Sequence, residues 1–248
     1  MPTLEAISMV ERDDNGDYVR PKVKKLPSEH KPYKLNGKRI AGTTTISGRD
    51  PEGKQVLIIW ANKKGLEGVC SIAFLNHSAN IGTMAHKMVE AHLCGVNDET
   101  DIGVWTKWLY GEHEYFYLYY SYAVCAFRKY LTWRTDNPTF IPLEMELSLV
   151  DENLKYGGMI DFYGELEGKK VLVDIKTSNH IYSSHLLQVG GGYDNLLKVN
   201  DYDVDDVYIL NISRDKDEPY EFRKIENTKE CFNRFKALLK DYYLEKKK

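Results

Sequence analysis

The chain has 248 residues, 42% hydrophobic and 29% charged, with 34 basic and 37 acidic side chains and a formal net charge of −3. That is the composition of an ordinary globular protein, of a length that suits one domain with insertions. No run of about 18 apolar residues occurs, which argues against a transmembrane helix, and residues 1–20 lack the apolar stretch of a secretory signal, so a cytoplasmic location is expected.

Four cysteines, Cys70, Cys94, Cys125 and Cys231, stand at long, irregular gaps with no Cys-x-x-Cys pair. Neither a zinc site, an iron–sulfur cluster nor a disulfide framework is expected from that spacing, and the thiols are read as buried and free. Charge is unevenly distributed. Between Arg20 and Arg39 stand Lys22, Lys24, Lys25, Lys31, Lys34 and Lys38, against the single acid Glu29. Such a stretch suits phosphate contact as well as it suits a solvated loop or hairpin.

In chain order, residues 1–40 read as an extension ending in a hairpin, with Asn36-Gly37 as its turn. Residues 43–47 are β-branched and expected to be extended, and 55–64 read as a short helix around Trp60. A helix is expected over 83–94 after Gly82, with Gly95 as its stop. The aromatic stretch 101–132 reads as one or two packed helices, broken by Asn137-Pro138. Residues 140–150, 157–165 and 169–177 read as three consecutive strands, the last two joined by a turn at Glu167-Gly168. Residues 183–197 are helical in pattern but interrupted by Gly190, Gly191 and Gly192. Strands at 205–213 and 220–225 and an amphipathic helix at 228–244 complete the chain, ahead of a frayed lysine tail. The order predicts one α/β (or α+β) domain with a mixed sheet flanked by helices: an N-terminal extension (1–40), a mainly helical part (41–135) and a core (136–248).

The chemistry concentrates in that core. Val171, Leu172, Val173 and Ile175 form an apolar strand interrupted by Asp174 and Lys176, and residues two apart on a strand share a face. A carboxylate and an ammonium therefore lie side by side on a strand whose neighbours are buried. A buried ion pair is a weak source of stability, whereas a divalent cation gives the carboxylate a purpose. The turn at Glu167-Gly168 brings Asp161 beside Asp174, so two carboxylates converge.

The segments Gly-Gly-Met-Ile-Asp (157–161) and Val-Asp-Ile-Lys-Thr (173–177) resemble the RecB-like branch of the PD-(D/E)XK nuclease superfamily, close to phage and mitochondrial genome maintenance exonucleases. The resemblance implies a restriction-endonuclease-like core and a catalytic set of Asp161, Asp174 and Lys176, joined by Glu146 and Gln188. It implies a metal site for magnesium or manganese made by His86, Asp161, Asp174 and the Ile175 carbonyl. His86, followed one turn later by Glu90, matches the branch's helical histidine. Glu146 matches its acid on the preceding strand, although Glu144 shares that alternation face. Gln188 and Tyr193 resemble the branch's Gln-x-x-x-Tyr pair and, with Thr177, are the expected contacts to substrate. One residue too many separates them, so either the helix carries a one-residue bulge or Tyr193 is not the equivalent. The implied activity is DNA hydrolysis, with an exonuclease preferring single-stranded ends first, a structure-specific endonuclease second and a non-catalytic DNA-binding module third. No membrane partner is expected, and a phage-encoded protein would act in the cytoplasm of a bacterial host.

Overall fold

The computed structural model describes residues 2–27, 31–215 and 217–246. Glu29 of the basic segment and the last two lysines of the tail lie outside those residues. In chain order the elements are β1 (Glu11–Arg12), β2 (Tyr18–Val19), β3 (Lys34–Leu35), β4 (Lys38–Arg39), β5 (Ala41–Gly42), α1 (Thr43–Ser47), α2 (Pro51–Leu66), α3 (Ser71–Leu93), α4 (Glu99–Tyr110), α5 (Phe116–Asp136), β6 (Ile141–Asp151), β7 (Tyr156–Leu166), β8 (Lys169–Lys176), α6 (Ser183–Leu186), a π-helix (Leu187–Tyr193), α7 (Asp194–Val199), β9 (Asp206–Asn211), β10 (Glu221–Lys224) and α8 (Thr228–Glu245). They form two compact units. The first comprises residues 1–28, 55–128 and 214–217, the second 29–54, 129–213 and 218–248, so α2 and α5 each contribute residues to both. No helix among the described residues is long and apolar enough to cross a membrane.

The first unit is helical. α3 begins at Ser71, eleven residues before Gly82, which sits inside the helix instead of ahead of it. Burial of Ala73, His77, Ile81, Met84, Ala85 and Met88 along one face outweighs the roughly 1 kcal/mol that an interior glycine costs. Gly95, at φ 98°, ends the helix as its sequence suggests. The aromatic stretch forms α4 and α5, and Tyr110, Phe116, Tyr119 and Phe127 are core, whereas Trp108 and Tyr117 stay exposed. α2 starts at Pro51, the helix position that tolerates a residue without an N–H, and has no buried residue.

The second unit is a mixed α/β layer with a central six-stranded mixed sheet flanked by helices, consistent with a restriction-endonuclease-like core. Its order is β10-β9-β8-β7-β5, with β6 on the other edge of β7. β8 and β9 run parallel, as do β5 and β7, and the remaining pairs are antiparallel. One face carries Ile160, Leu172 and Ile209 against the π-helix, α7 and Phe235 of α8. The other is aromatic, with Trp133 from the end of α5 edge-on to both Phe140 and Phe222. Val171, Val173 and Ile175 are buried.

Residues 43–47 are not extended: they form the one-turn helix α1. β-branching disfavours a helix only weakly, and here tertiary contacts decide. Thr43 donates its hydroxyl to the Gly157 carbonyl at 2.8 Å, and Ile46 is fully buried. The thiols are free, but Cys94 is exposed and the other three are half-buried, not buried.

Candidate active site

β7 and β8 pair from Leu166↔Lys169 as far as Phe162↔Val173 and then part. The next opposed residues are Asp161 and Asp174. In place of a ladder bond, the Asp161 carboxylate reaches across and accepts from the Ile175 N–H at 2.7 Å. A charge-assisted bond of that kind fixes the carboxylate's orientation at the fork. On the other edge of β7, Met145↔Phe162 and Leu147↔Ile160 bracket Glu146 opposite Asp161. Three neighbouring strands thus supply one acid each at the same level of the sheet.

Glu146 adopts φ 49°, a left-handed conformation that an unbranched acid tolerates but does not prefer. A carboxylate oxygen of Glu146 lies within 4.8 Å of one of Asp161. Glu144, by contrast, is exposed and pairs with Tyr163. Simple alternation cannot separate these two glutamates, and the backbone twist at Glu146 does.

Asp174 is 1% exposed and its Oδ2 sits 2.6 Å from the Lys176 ammonium. Along that face of β8 the sequence passes from the apolar core (Leu172) through the carboxylate to the half-buried lysine. Lys176 pairs with Asp174 at the end of the strand, and Thr177 follows immediately, half-buried. Ile175 contributes its N–H to the site through Asp161.

Gln188 and Tyr193 stand five apart in the π-helix, in which such residues stack on the same side. Gln188 Nε2 donates to the Tyr193 hydroxyl at 2.7 Å and to Thr44 Oγ1 at 3.1 Å. Both amide hydrogens are therefore engaged inside the protein, and both side chains are buried. Burial, and next the charges of Asp174 and Asp161, raise the Tyr193 phenol well above its ordinary pKa. It keeps its proton at any physiological pH.

The three glycines have a packing role within the protein. A Cβ on Gly192 would stand 2.2 Å from Thr43 Cγ2, and one on Gly191 2.7 Å from the Cys231 carbonyl. They let the π-helix lie directly against α1 and α8, and all its residues are buried.

Two neighbours were not anticipated from sequence. Tyr33 lies flat against Gly157, where a Cβ would meet its ring at 2.6 Å. Burial and then the Glu146 charge push its phenol up to about 12. His185 accepts the Tyr182 N–H at its Nδ1, which leaves the ring proton on Nε2. Burial, then the Lys176 charge, lower its pKa to about 3, so the ring is neutral. Small residues at Gly42 and Gly157 were the only sequence sign of an aromatic ring lying across them.

His86 belongs to the first unit, half-buried on α3. Glu90, one turn on, is paired with Lys87 at 2.6 Å.

Hard carboxylate oxygens on three adjacent strands are a donor set suited to magnesium or manganese and unsuited to a soft metal. Glu146 and Asp161 bring carboxylate oxygens within 4.8 Å of each other, the spacing of two ligands that could share one ion. No protein-family model matches the chain, and no curated protein matches it in sequence.

Proposed function

We propose that the protein is a metal-dependent deoxyribonuclease that hydrolyses DNA phosphodiester bonds, acting as an exonuclease on single-stranded ends. The observation that carries this reading is the fork between β7 and β8, where Asp161, Asp174 and Lys176 meet with Glu146 alongside. Folding alone gives little reason to bury such a pair, since a well-packed apolar pair does as well or better. Clusters of this kind concentrate at functional sites.

A divalent cation bound there lowers the pKa of an attacking water and polarises the phosphoryl oxygen. The chain's own groups do the rest. Glu146, Asp161 and Asp174 supply the negative charge that draws the cation in. The Ile175 N–H keeps the Asp161 carboxylate from turning away. Lys176 positions the water or helps deprotonate it and offsets charge developing on the phosphate, an effect typically worth about 10²- to 10³-fold in rate. Gln188 and Tyr193 hold each other by a hydrogen bond, with the Tyr193 hydroxyl kept neutral by burial and by the charges of Asp174 and Asp161. The resemblance adds His86 as a nitrogen ligand, an assignment that loss of metal affinity in His86→Ala tests.

The deciding experiment is cleavage of end-labelled linear single-stranded DNA against a covalently closed circle, in magnesium, manganese or EDTA, beside Lys176→Ala and Asp174→Ala. We expect metal-dependent loss of the linear strand alone, reduced at least about 100-fold in either variant. Cleavage of the circle would make the protein an endonuclease. Absence of metal-dependent cleavage, with DNA binding retained, would leave a binding module and overturn the reading.

A further inference from the structure

The short hairpin formed by β3 and β4 carries a concentration of charge that folding does not explain. Its turn is Asn36-Gly37, both at positive φ (50° and 77°), the tight type that matches strand twist. Its register sets Lys34 directly opposite Arg39 and Leu35 opposite Lys38. Cations facing each other across a strand pair repel, so the Lys34–Arg39 pairing destabilises the hairpin that contains it. Lys31, Lys34, Lys38 and Arg39 are all exposed, and among the described residues none has an acidic partner.

A two-by-two hairpin is marginal by itself, and this one is pinned at its base. The Ile40 N–H donates to the Tyr33 carbonyl at 3.0 Å. The Tyr33 ring covers Gly157 and Gly42, and the chain continues into β5, which pairs with the first residues of β7. The anchor therefore stands beside Glu146, on the strand that carries Asp161. From Tyr33 to the turn is three residues, about 10 Å of extended chain. One strand of helically stacked DNA presents one charge per roughly 3.4 Å of axis and an extended strand fewer, so the hairpin spans at most about three phosphates.

We infer that the β3–β4 hairpin is a phosphate-tracking arm, on which Lys34, Lys38 and Arg39 hold the backbone of a single DNA strand a few nucleotides from the acidic fork. The inference rests on the nuclease reading of that fork and adds where the strand runs. Repulsion between Lys34 and Arg39 is relieved when a phosphate lies between them, and the tyrosine anchor fixes the distance from held phosphate to acids. Contacts to phosphate carry no sequence information, so the arm's contribution is independent of sequence.

The test measures binding apart from cleavage. A fluorescent single-stranded oligonucleotide is titrated with the full chain in EDTA at several salt concentrations. The wild type is compared with a triple variant, Lys34→Ala, Lys38→Ala and Arg39→Ala, and with a control triple, Lys229→Ala, Lys236→Ala and Lys240→Ala, on α8. We expect the hairpin variant to bind at least about tenfold more weakly at low salt. Its salt slope should flatten by about 2, since each lost contact to a single strand removes about 0.7. The control should bind as the wild type does. Equal weakening in both variants would mean net charge alone and would overturn the arm. Unchanged binding in the hairpin variant would overturn it too, while metal-dependent cleavage by the same preparation would leave the nuclease reading standing. A wild type that neither binds nor cleaves DNA would remove both.

Discussion

The two units bury different things. The sheet unit buries charge: Asp161 and Asp174 lie inside it, each with a named partner, and Gln188 and Tyr193 form a buried polar pair. The helical unit buries aromatic rings and leaves apolar side chains in water. Val56, Leu57, Ile58 and Ile59 of α2 are all about half exposed or more, and Trp108 on α4 is 79% exposed. A buried polar group carries an energetic penalty that must be met by partners. An exposed apolar residue carries little penalty alone and says less. Substitutions should therefore be least forgiving in the sheet unit.

Glycine tests that contrast most sharply. Gly192→Ala drives a Cβ to 2.2 Å from Thr43 and 3.1 Å from the Phe235 ring, inside a packed helix. We expect a loss of about 3 kcal/mol, read as a melting temperature lower by roughly 10 °C. Gly103→Ala in the helical unit also meets an atom at 2.5 Å, but that atom is the hydroxyl end of Tyr120, which can swing aside. Its expected loss is under about 1 kcal/mol. Equal effects at the two glycines would break the comparison.

Histidine gives the next largest effect. Burial lowers the pKa of both His185 and His77, to about 3 at His185. In each case the folded state disfavours the proton that the unfolded chain accepts near pH 6.5. The stability is thus fully present above pH 6.5 and is lost as pH falls from there toward the folded pKa. For His185 the slope is about 1.4 kcal/mol per pH unit, or about 2 kcal/mol between pH 6.5 and 5. Denaturant unfolding at the two pH values should show that loss in the wild type and a smaller one in His185→Asn. For His77 the backbone carbonyl of Ile7 opposes burial, so His77→Asn should remove less of the acid sensitivity.

The smallest effects concern single side chains. Tyr193→Phe leaves one Gln188 N–H without its acceptor, which costs about 1 kcal/mol and should lower cleavage more than it lowers DNA binding. Trp108→Ala should stay within about 0.5 kcal/mol by the same unfolding measurement.

Much of the sheet unit was legible because its signals are local. Alternation and the Glu167-Gly168 turn place Asp161 across from Asp174 without any tertiary information, and the Asn36-Gly37 hairpin is equally direct. What escaped depends on contacts between distant segments. Residues 43–47 form a helix because Gly157 and Gly192 receive Thr43, which no local propensity reports. The choice of Glu146 over Glu144 depends on a left-handed residue in mid-strand. The extra residue before Tyr193 signals a bulge, but only the packing against α1 and α8 shows why three glycines accompany it. Tyr33 sits more than a hundred residues from the glycine it covers.

The bond between Asp161 and the Ile175 N–H has a use of its own. A strand amide normally reports on the carbonyl of its neighbour, and its proton resonance is fixed by the fold. This one reports on a carboxylate instead. Its resonance should therefore shift whenever Asp161 gains a proton or shares its oxygen with a cation, while the amides of Val171 and Val173, deeper in the same strand, stay still. One amide cross-peak can thus serve as a gauge of occupancy and ionisation at the fork, in the native protein and without a labelled substrate.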